Sequence, residues 1–402
     1  MDDLKILVTA DICPNFDLQD EILAGAGARL LGPVKALIDE ADLVIGNLET
    51  PLCDREAPIP KCGPNFICKP ALAPVLRGLG FHCMTLANNH INDQGTQGLE
   101  QTLKVLGEAK LAYCGAGLTH EEACRPAVFK IKDRTLAVFN FGEGEFAQAQ
   151  EDGPGAARLD AWWPERSIQD ARREVDLILV VLHVGNEYQP IPSQVTADFC
   201  RRMAAAGADA VVAHHAHIPQ ATEEHDGVPI CFSLGNLLFG YPFTPERFEA
   251  QPCWFLGSVA TLVFPMDDTA TMALHPFKQT ADRSLAALSA KGFEAFREYM
   301  RRCEQILADP ATHQRFWEQE ARNLFRGHRK GLPVYVADLN GEDPAKAHRA
   351  ATILYNLVRC DAHHEAVRRG FRLMYENRLE DDAAAQAELN ALGELVRQCF
   401  AE

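Results

Sequence analysis

Short apolar runs of strand length alternate with helical segments through the first two-thirds of the chain. Between two of these runs, Val195, Phe199 and Met203 recur at helical spacing, with Ser193 placed as an N-cap and Gly207 as a stop. Strands that alternate with helices predict an α/β layered fold. The strand-length runs cover residues 4–9, 42–45, 83–87, 135–141, 177–182, 210–213 and 230–233.

Helical character dominates beyond about residue 281, where Phe293, Phe296 and Met300 form an apolar stripe at helical spacing. We therefore expect an α/β body over residues 1–280 and a helical extension over residues 281–402 that packs on it. The Gly-Leu-Pro-Val segment at residues 331–334 predicts a break between two helical blocks. The alternative is that the last third consists of peripheral helices of one domain, and the sequence leaves both possibilities open.

Polar side chains suited to metal binding follow five of the strand-length runs. They are Asp11, Asn47 with Glu49, Asn89 with His90, His183, and His215 with His217. A single Asp or His in such a position is most often a turn, a cap or a structural residue. In α/β sheets, however, ligands bind at the carboxyl ends of strands, and here five successive ends carry oxygen or nitrogen ligands. We therefore expect a metal site at one edge of one sheet.

The spacing of the histidines in the His-His-Ala-His segment at residues 214–217 predicts which of them can reach the same metal. In an extended backbone, residues i and i+2 point to the same side, so His215 and His217 are expected to reach the same metal or two adjacent metals. His214 would point the other way, and we expect it to be a buried or supporting residue rather than a ligand.

The net charge of −17 in 402 residues argues against a basic nucleic-acid-binding face. It does not exclude an anionic small-molecule or polymer substrate, because a bound metal can invert the local field. The 13 Cys residues are scattered without a Cys-x-x-Cys pair, which indicates reduced thiols. The N-terminus has no signal-peptide pattern, and no run reaches the ~18 apolar residues of a membrane span, so a cytoplasmic protein is expected.

Six motifs occur in order along the α/β part of the chain: Asp11, Asn47-Leu48-Glu49, Ala87-Asn88-Asn89-His90, His183-Val184-Gly185-Asn186-Glu187, His214-His215-Ala216-His217 and Ser233-Leu234-Gly235-Asn236. This ordered set resembles the CapA family of capsule, or poly-γ-glutamate, synthesis proteins, which is related to the calcineurin-like metallophosphoesterases. The resemblance covers residues 4 to about 280 and implies a four-layer αββα sandwich.

The resemblance also implies roles for the matching residues. Those implied as metal ligands are Asp11, Asn47, Glu49, Asn89, His183, His215 and His217. Glu49 would be the bridging carboxylate, Asn47 a weaker oxygen ligand, and His90 the catalytic acid for the leaving group. Asn88, Glu187 and Asn236 would support the ligands or contact the substrate. The metallophosphoesterase His that stands two residues after the first Asp is missing here, because Ile12 and Cys13 follow Asp11.

These residues favour a metal-dependent hydrolase that cleaves a phosphoester or amide-type bond. A divalent ion lowers the pKa of its bound water towards ~7, and mixed nitrogen and oxygen ligands favour one or two ions of Mn, Fe or Zn. The alternative is an accessory protein of capsule or poly-γ-glutamate biosynthesis that uses the same fold for binding or chain handling. A metal-poor scaffold is a third interpretation, although unpartnered imidazoles would make it costly. The oligomeric state is not determined by the sequence.

Overall fold

The structure is a computed structural model that describes residues 3–149, 153–159, 163–266 and 269–402. Its strands are β1 (Leu4–Cys13), β2 (Leu43–Leu48), β3 (Cys83–Thr85), β4 (Ala112–Cys114), β5 (Ala116–Gly117), β6 (Ala127–Ile131), β7 (Arg134–Gly142), β8 (Gly155–Ala156), β9 (Leu177–His183), β10 (Ala210–His214), β11 (Thr222–His225), β12 (Val228–Cys231), β13 (Asn236–Phe239), β14 (Leu256–Phe264), β15 (Thr271–Gln279) and β16 (Leu285–Ala287).

Helices fill most of the connections between strands and the whole C-terminal part. They are α1 (Leu18–Glu21), α2 (Gly27–Leu31), α3 (Val34–Glu40), α4 (Leu72–Gly78), α5 (Gly95–Glu108), α6 (His120–Ala123), α7 (Trp163–Ala171), α8 (Gln194–Ala206), α9 (Pro245–Ala250), α10 (Ala290–Ala308), α11 (Pro310–Leu339), α12 (Pro344–Arg359), α13 (Asp361–Tyr375) and α14 (Ala383–Gln398). Among the described residues, no helix is long and apolar enough to cross a membrane.

Two large sheets organise the fold. The first has the order β16-β15-β14-β1-β2-β3-β4, with β13 also pairing with β1, and the second has the order β11-β12-β10-β9-β7-β6. The central strands β1 to β4 run parallel, and so do β7, β9, β10 and β12. Strand β9 is buried along its whole length, as expected of a parallel strand covered on both faces.

The two sheets share one hydrophobic core, in which β1 contacts β10 and β4 contacts β7. Helix α5 packs on β4 of the first sheet, whereas α8 packs on β10 and β12 of the second. The four-layer α/β sandwich and the C-terminal helical region expected from the sequence are therefore confirmed.

Helix α8 forms where local sequence signals predict it. The Ser193 hydroxyl accepts a hydrogen bond from Thr196 N at 3.1 Å, and Gly207 ends the helix with φ of 119°. The helix buries Ala197, Cys200 and Met203 against the second sheet. This helix places the loop after β9 at the carboxyl edge of the sheet.

The C-terminal helices attach to the body in two ways. Helix α10 adds Phe296, Tyr299 and Met300 to the main core, and Tyr299 Oη donates to Pro219 O at 2.8 Å. Helices α11 and α13 form a smaller core of their own around Trp317. Because β16 extends the first sheet to Ala287, we propose that the helical extension starts at α10 and packs on the body through α10 and α14.

The break predicted at residues 331–334 is wrong. Pro333 lies inside α11, which continues to Leu339. A proline removes one backbone hydrogen bond, but α11 also packs against α12 and α13, and tertiary packing of a helix commonly outweighs an unfavourable local propensity.

Candidate metal centre

The candidate ligands lie where the carboxyl edges of the two sheets meet. Asp11 of β1 pairs with Asn47 of β2 in the first sheet, and His183 of β9 pairs with His214 of β10 in the second. The expectation that all the ligands lie at the edge of a single sheet is therefore wrong, because strands of both sheets contribute them. The first three motifs end strands of the first sheet and the next two end strands of the second, a division that local sequence patterns do not reveal, but both sheets point these carboxyl ends at the same space.

A first group of possible ligands comprises Glu49, His183 and His215, all buried, with one ligand atom of each within 4.8 Å of the others. His183 Nε2 lies 3.7 Å from Glu49 Oε1 and 3.0 Å from Asn89 Oδ1. Burial and the nearby His215 lower the pKa of His183 well below its usual value, so its ring is neutral and able to ligate. The contact between Asn89 and His183 also places Asn89 next to this first group.

A second group comprises Asp11, Glu49 and His217, within the same 4.8 Å limit. His217 Nε2 lies 3.7 Å from Glu49 Oε1, and its Nδ1 lies 3.6 Å from Asp11 Oδ2. Glu49 belongs to both groups, which is the position that a bridging carboxylate requires. That role remains a prediction.

Several buried polar atoms in these groups have no hydrogen-bond partner among the described residues. Both carboxylate oxygens of Glu49 and Nδ1 of His215 are buried and unpartnered. Burial and the nearby Asp11 carboxylate raise the pKa of Glu49 well above its usual value. Leaving such atoms desolvated costs free energy unless another charge compensates it. The donor set of carboxylates and imidazoles therefore fits a divalent cation.

The two histidines after β10 reach the site by a different backbone path from the one expected. Strand β10 ends at His214, and His215 and His217 have φ of 91° and 55°, in the left-handed region. The alternation of an extended chain therefore does not apply, because the chain turns sharply here. His214 Nδ1 lies 2.8 Å from Asp11 Oδ1, as expected of a residue that supports a ligand.

Asn47 departs from the expectation that its amide oxygen is a ligand. Its Nδ2 donates to Asp11 Oδ1 at 2.8 Å and lies 3.2 Å from His183 Nδ1. Its Oδ1 accepts hydrogen bonds from Thr85 Oγ1 and Asn88 Nδ2, both at 3.3 Å. The residue is committed to orienting neighbouring side chains, since both ends of the amide already have partners.

Asn236 and Asn88 hold other parts of the site. Asn236 Oδ1 lies 2.8 Å from Nδ1 of His217, which leaves Nε2 of that ring for a metal. Asn88 Nδ2 donates to Leu48 O at 2.8 Å, and Asn88 Oδ1 accepts from His90 N at 3.2 Å. Asn88 thereby fixes the loop that carries Asn89 and His90.

His90 is buried beside Asp93 and Lys61. Its Nδ1 lies 2.7 Å from Asp93 Oδ2 and 3.2 Å from Lys61 Nζ, and Lys61 also pairs with Asp93. Burial and the Lys61 charge lower the pKa of His90 to about 4, although Asp93 opposes them. The ring is therefore neutral at pH 7, with Nδ1 held by the protein.

Glu187 follows the β9 strand end and is exposed, unlike its neighbour Asn186. The surrounding protein partly desolvates this carboxyl, which opposes its ionisation, but His217, His215 and a hydrogen bond from Tyr188 lower the pKa of Glu187. The Tyr188 ring stacks 6.0 Å from that of His217. Glu187 is thus an ionised, solvent-reachable carboxylate close to the candidate ligands.

Glu143 is a site residue that the sequence reasoning missed. Its Oε1 lies 3.3 Å from His215 Nε2, its Oε2 accepts from Gly185 N at 3.2 Å, and its backbone N donates to His183 O at 3.1 Å. Burial raises the pKa of Glu143 to about 7, and Glu143 in turn raises the pKa of His215 to about 9 against the effect of burial. Glu143 directly follows β7, so the strand-end rule applied to that strand would have found it.

Cys13 occupies the position of the missing family His. It is buried among Phe66, Phe239 and Trp254, and burial raises the pKa of its thiol well above the usual value. Cys13 belongs to neither group of possible ligands found among the described residues, so it does not take the place of that imidazole.

The comparisons with known proteins agree with these motifs. The sequence model of the bacterial capsule synthesis protein PGA_cap matches residues 5–241. The PGA biosynthesis protein CapA of Bacillus subtilis (strain 168) is 29% identical over 228 residues, covering 54% of this chain and 58% of that protein. A probable polyglutamine synthesis accessory protein of Mycobacterium tuberculosis is 30% identical over 221 residues, covering 50% and 56%. The chain therefore spans somewhat more than half the length of these relatives.

Two solved structures superpose on part of this chain with low TM-scores. A hypothetical protein from Thermus thermophilus has a TM-score of 0.43 and 15% identity, covering 68% of this chain and 99% of its own. The 5′-nucleotidase of Candida albicans has a TM-score of 0.37 and 12% identity, covering 70% and 53%. Because the family model covers more than half of the sequence, this chain belongs to the bacterial capsule synthesis protein family PGA_cap, and the resemblance to CapA proteins is confirmed.

Proposed function

We propose that this chain is a metal-dependent hydrolase that cleaves a phosphoester or amide-type bond within capsule or poly-γ-glutamate synthesis. The observation that carries the proposal is the pair of buried ligand groups that share Glu49, whose two oxygens have no hydrogen-bond partner in the described part of the chain. A binding surface without chemistry does not require desolvated carboxylates and imidazoles to converge in this way.

The proposed ligands are Asp11, Glu49, Asn89, His183, His215 and His217, which would hold one or two ions of Mn, Fe or Zn. A bound ion of this kind lowers the pKa of its water to ~7 and polarises the bond to be cleaved. Glu143 and Asn236 each hold one ring nitrogen of a ligand histidine and so fix the nitrogen that faces the centre.

His90 is the proposed carrier of the leaving-group proton. Asp93 holds its Nδ1, which orients the ring and directs Nε2 away from that contact. Because the free ring is neutral at pH 7 and its Nδ1 faces Asp93, Nε2 would first take up a proton from solvent water, then donate that proton to the leaving group and return to the neutral form.

A second candidate function is an accessory role in polymer synthesis, with the same site used for binding or chain handling. The printed name of the Mycobacterium relatives, a probable polyglutamine synthesis accessory protein, favours it. This candidate predicts metal binding without turnover.

Turnover assays distinguish the two. The purified chain, loaded with Mn, Fe or Zn, is assayed with p-nitrophenyl phosphate, bis-p-nitrophenyl phosphate, γ-glutamyl-p-nitroanilide and poly-γ-glutamate. We expect turnover of at least one substrate, a loss of at least about 100-fold in His90→Ala with metal retained, and little change in the exposed control His348→Ala. Metal binding with no turnover of any substrate would favour the accessory role.

A further inference from the structure

The first turn of α13 contacts two of the loops that border the candidate metal centre. Asp361 N donates to Gly144 O at 2.9 Å, and Gly144 N donates to Asp361 Oδ2 at 2.7 Å. In the next loop, Asn186 Nδ2 donates to Ala362 O at 3.0 Å. One helical turn from the C-terminal extension thus joins the loop after β7 to the loop after β9.

The contact between Asp361 and Gly144 depends on the absence of a side chain at residue 144. A Cβ atom on Gly144 would lie 2.6 Å from Asp361 Oδ2 and 2.8 Å from its Cγ. Real side chains do not approach this closely, so any larger residue would displace the carboxylate.

Glu143, the residue next to Gly144, connects this contact to the metal ligands. Its carboxylate lies against His215 Nε2 and accepts from Gly185 N, as described above. The Glu143 carboxylate is therefore placed to orient the His215 ring, whose Nδ1 has no hydrogen-bond partner among the residues that the structure describes.

We propose that Asp361 is a positioning residue of the metal centre, acting through Gly144 and Glu143 on His215. The helical extension, which lies outside the residues 5–241 that match the family model, is then part of the site. This inference rests on the proposed metal binding. It adds that full metal affinity requires the contact between Asp361 and Gly144.

The test is a calorimetric titration of Mn²⁺ into the full chain, together with the visible spectrum of the Co²⁺-loaded protein. Asp361→Ala removes the acceptor for Gly144 N, and we expect about tenfold weaker Mn²⁺ binding and an altered Co²⁺ spectrum. Asp361→Asn keeps an acceptor oxygen and should bind Mn²⁺ within about threefold of the wild type. The matched control is Asp343→Ala, which removes the N-cap of α12 but no hydrogen bond to Gly144 or Asn186 and should change neither readout.

A double-mutant cycle with Gly144→Ala guards against a general folding defect. Gly144→Ala alone should weaken Mn²⁺ binding by a similar factor, because its Cβ displaces the carboxylate. In the Asp361→Ala background it should have little further effect, since the clash is gone. Unchanged Mn²⁺ affinity in Asp361→Ala, or fully additive effects in the cycle, would overturn the positioning role. A wild-type chain that binds no metal would overturn the proposed function as well.

Discussion

Glu143 Oε1 lies 3.3 Å from Nε2 of His215, while Nδ1 of the same ring is buried without a hydrogen-bond partner among the described residues. A carboxylate on one imidazole nitrogen and a free second nitrogen is the arrangement that metal-binding histidines adopt in proteins. The relationship is informative because a buried structural histidine would normally have hydrogen-bond partners on both ring nitrogens.

Removal of Glu143 should weaken metal binding without unfolding the protein. In Glu143→Ala, His215 loses the partner that orients it, so we expect at least about tenfold weaker Mn²⁺ affinity by calorimetry. The Mn²⁺ affinity of Glu143→Gln should lie between those of Glu143→Ala and the wild type, because the Gln amide oxygen can still accept the hydrogen bond from Gly185 N. The exposed Glu121→Ala serves as the control. Wild-type affinity in Glu143→Ala would exclude this role.

Asn236 is expected to act in the same way on His217. Without its Oδ1, which lies 2.8 Å from His217 Nδ1, the ring is free to rotate or change tautomer. We expect Asn236→Ala to weaken Mn²⁺ binding about tenfold, with the exposed Asn390→Ala as control. If both variants bind Mn²⁺ equally well, Asn236 does not orient a ligand.

The packing of α13 on α11 can be tested at Gly370. A Cβ atom there would lie 2.2 Å from Cγ of the buried Phe325, so Gly370→Ala should lower the free energy of unfolding by about 1–3 kcal/mol. Gly327 in α11 has open space around it, and Gly327→Ala should instead stabilise the helix by up to about 1 kcal/mol. Urea unfolding measures both changes, and equal values would contradict the helix packing described above.

The stability of the extension should depend on pH through Glu365. Burial raises the pKa of this carboxyl from 4.5 to about 7, although Ser193 Oγ donates to it at 2.7 Å. Because the folded state binds this proton more tightly than the unfolded state, the stabilisation is full below pH 4.5 and is lost as the pH rises to about 7.

The variant Glu365→Gln imitates the protonated side chain at every pH. We expect it to melt at a higher temperature than the wild type at about pH 8, with the difference shrinking at about pH 5, as thermal unfolding would show. The exposed Glu380→Gln should show no such dependence. A difference that stays constant across this pH range would contradict the raised pKa.

Local signals in the sequence predicted much of this fold. The cap at Ser193 and the stop at Gly207 predicted α8, and the polar residues after the strands led to Asp11, Glu49 and His183, because parallel strands end at a common edge. Sequence patterns did not reveal that two sheets contribute to that edge, nor the left-handed backbone at His215 and His217. These features depend on strand pairing and turn geometry rather than on periodicity.

Contacts between distant parts of the chain were also beyond the sequence. Gly144 and Asp361 are 217 residues apart, and no local pattern links them. Asn47 was expected to ligate because it follows a strand-length run and matches the second motif of the resembled family, but its amide is occupied by Asp11 and Asn88. Hydrogen-bond partners of this kind become visible only in the folded protein.

The central claim is that Asp11, Glu49, His183, His215 and His217 hold a divalent metal. Anomalous diffraction from crystals soaked in Mn²⁺, recorded at the Mn absorption edge, tests it most directly. We expect one or two strong peaks within coordination distance of Glu49, one beside His183 and His215 and the other beside Asp11 and His217. Crystals that take up Mn²⁺ elsewhere, or show no peak at Glu49, would contradict the claim.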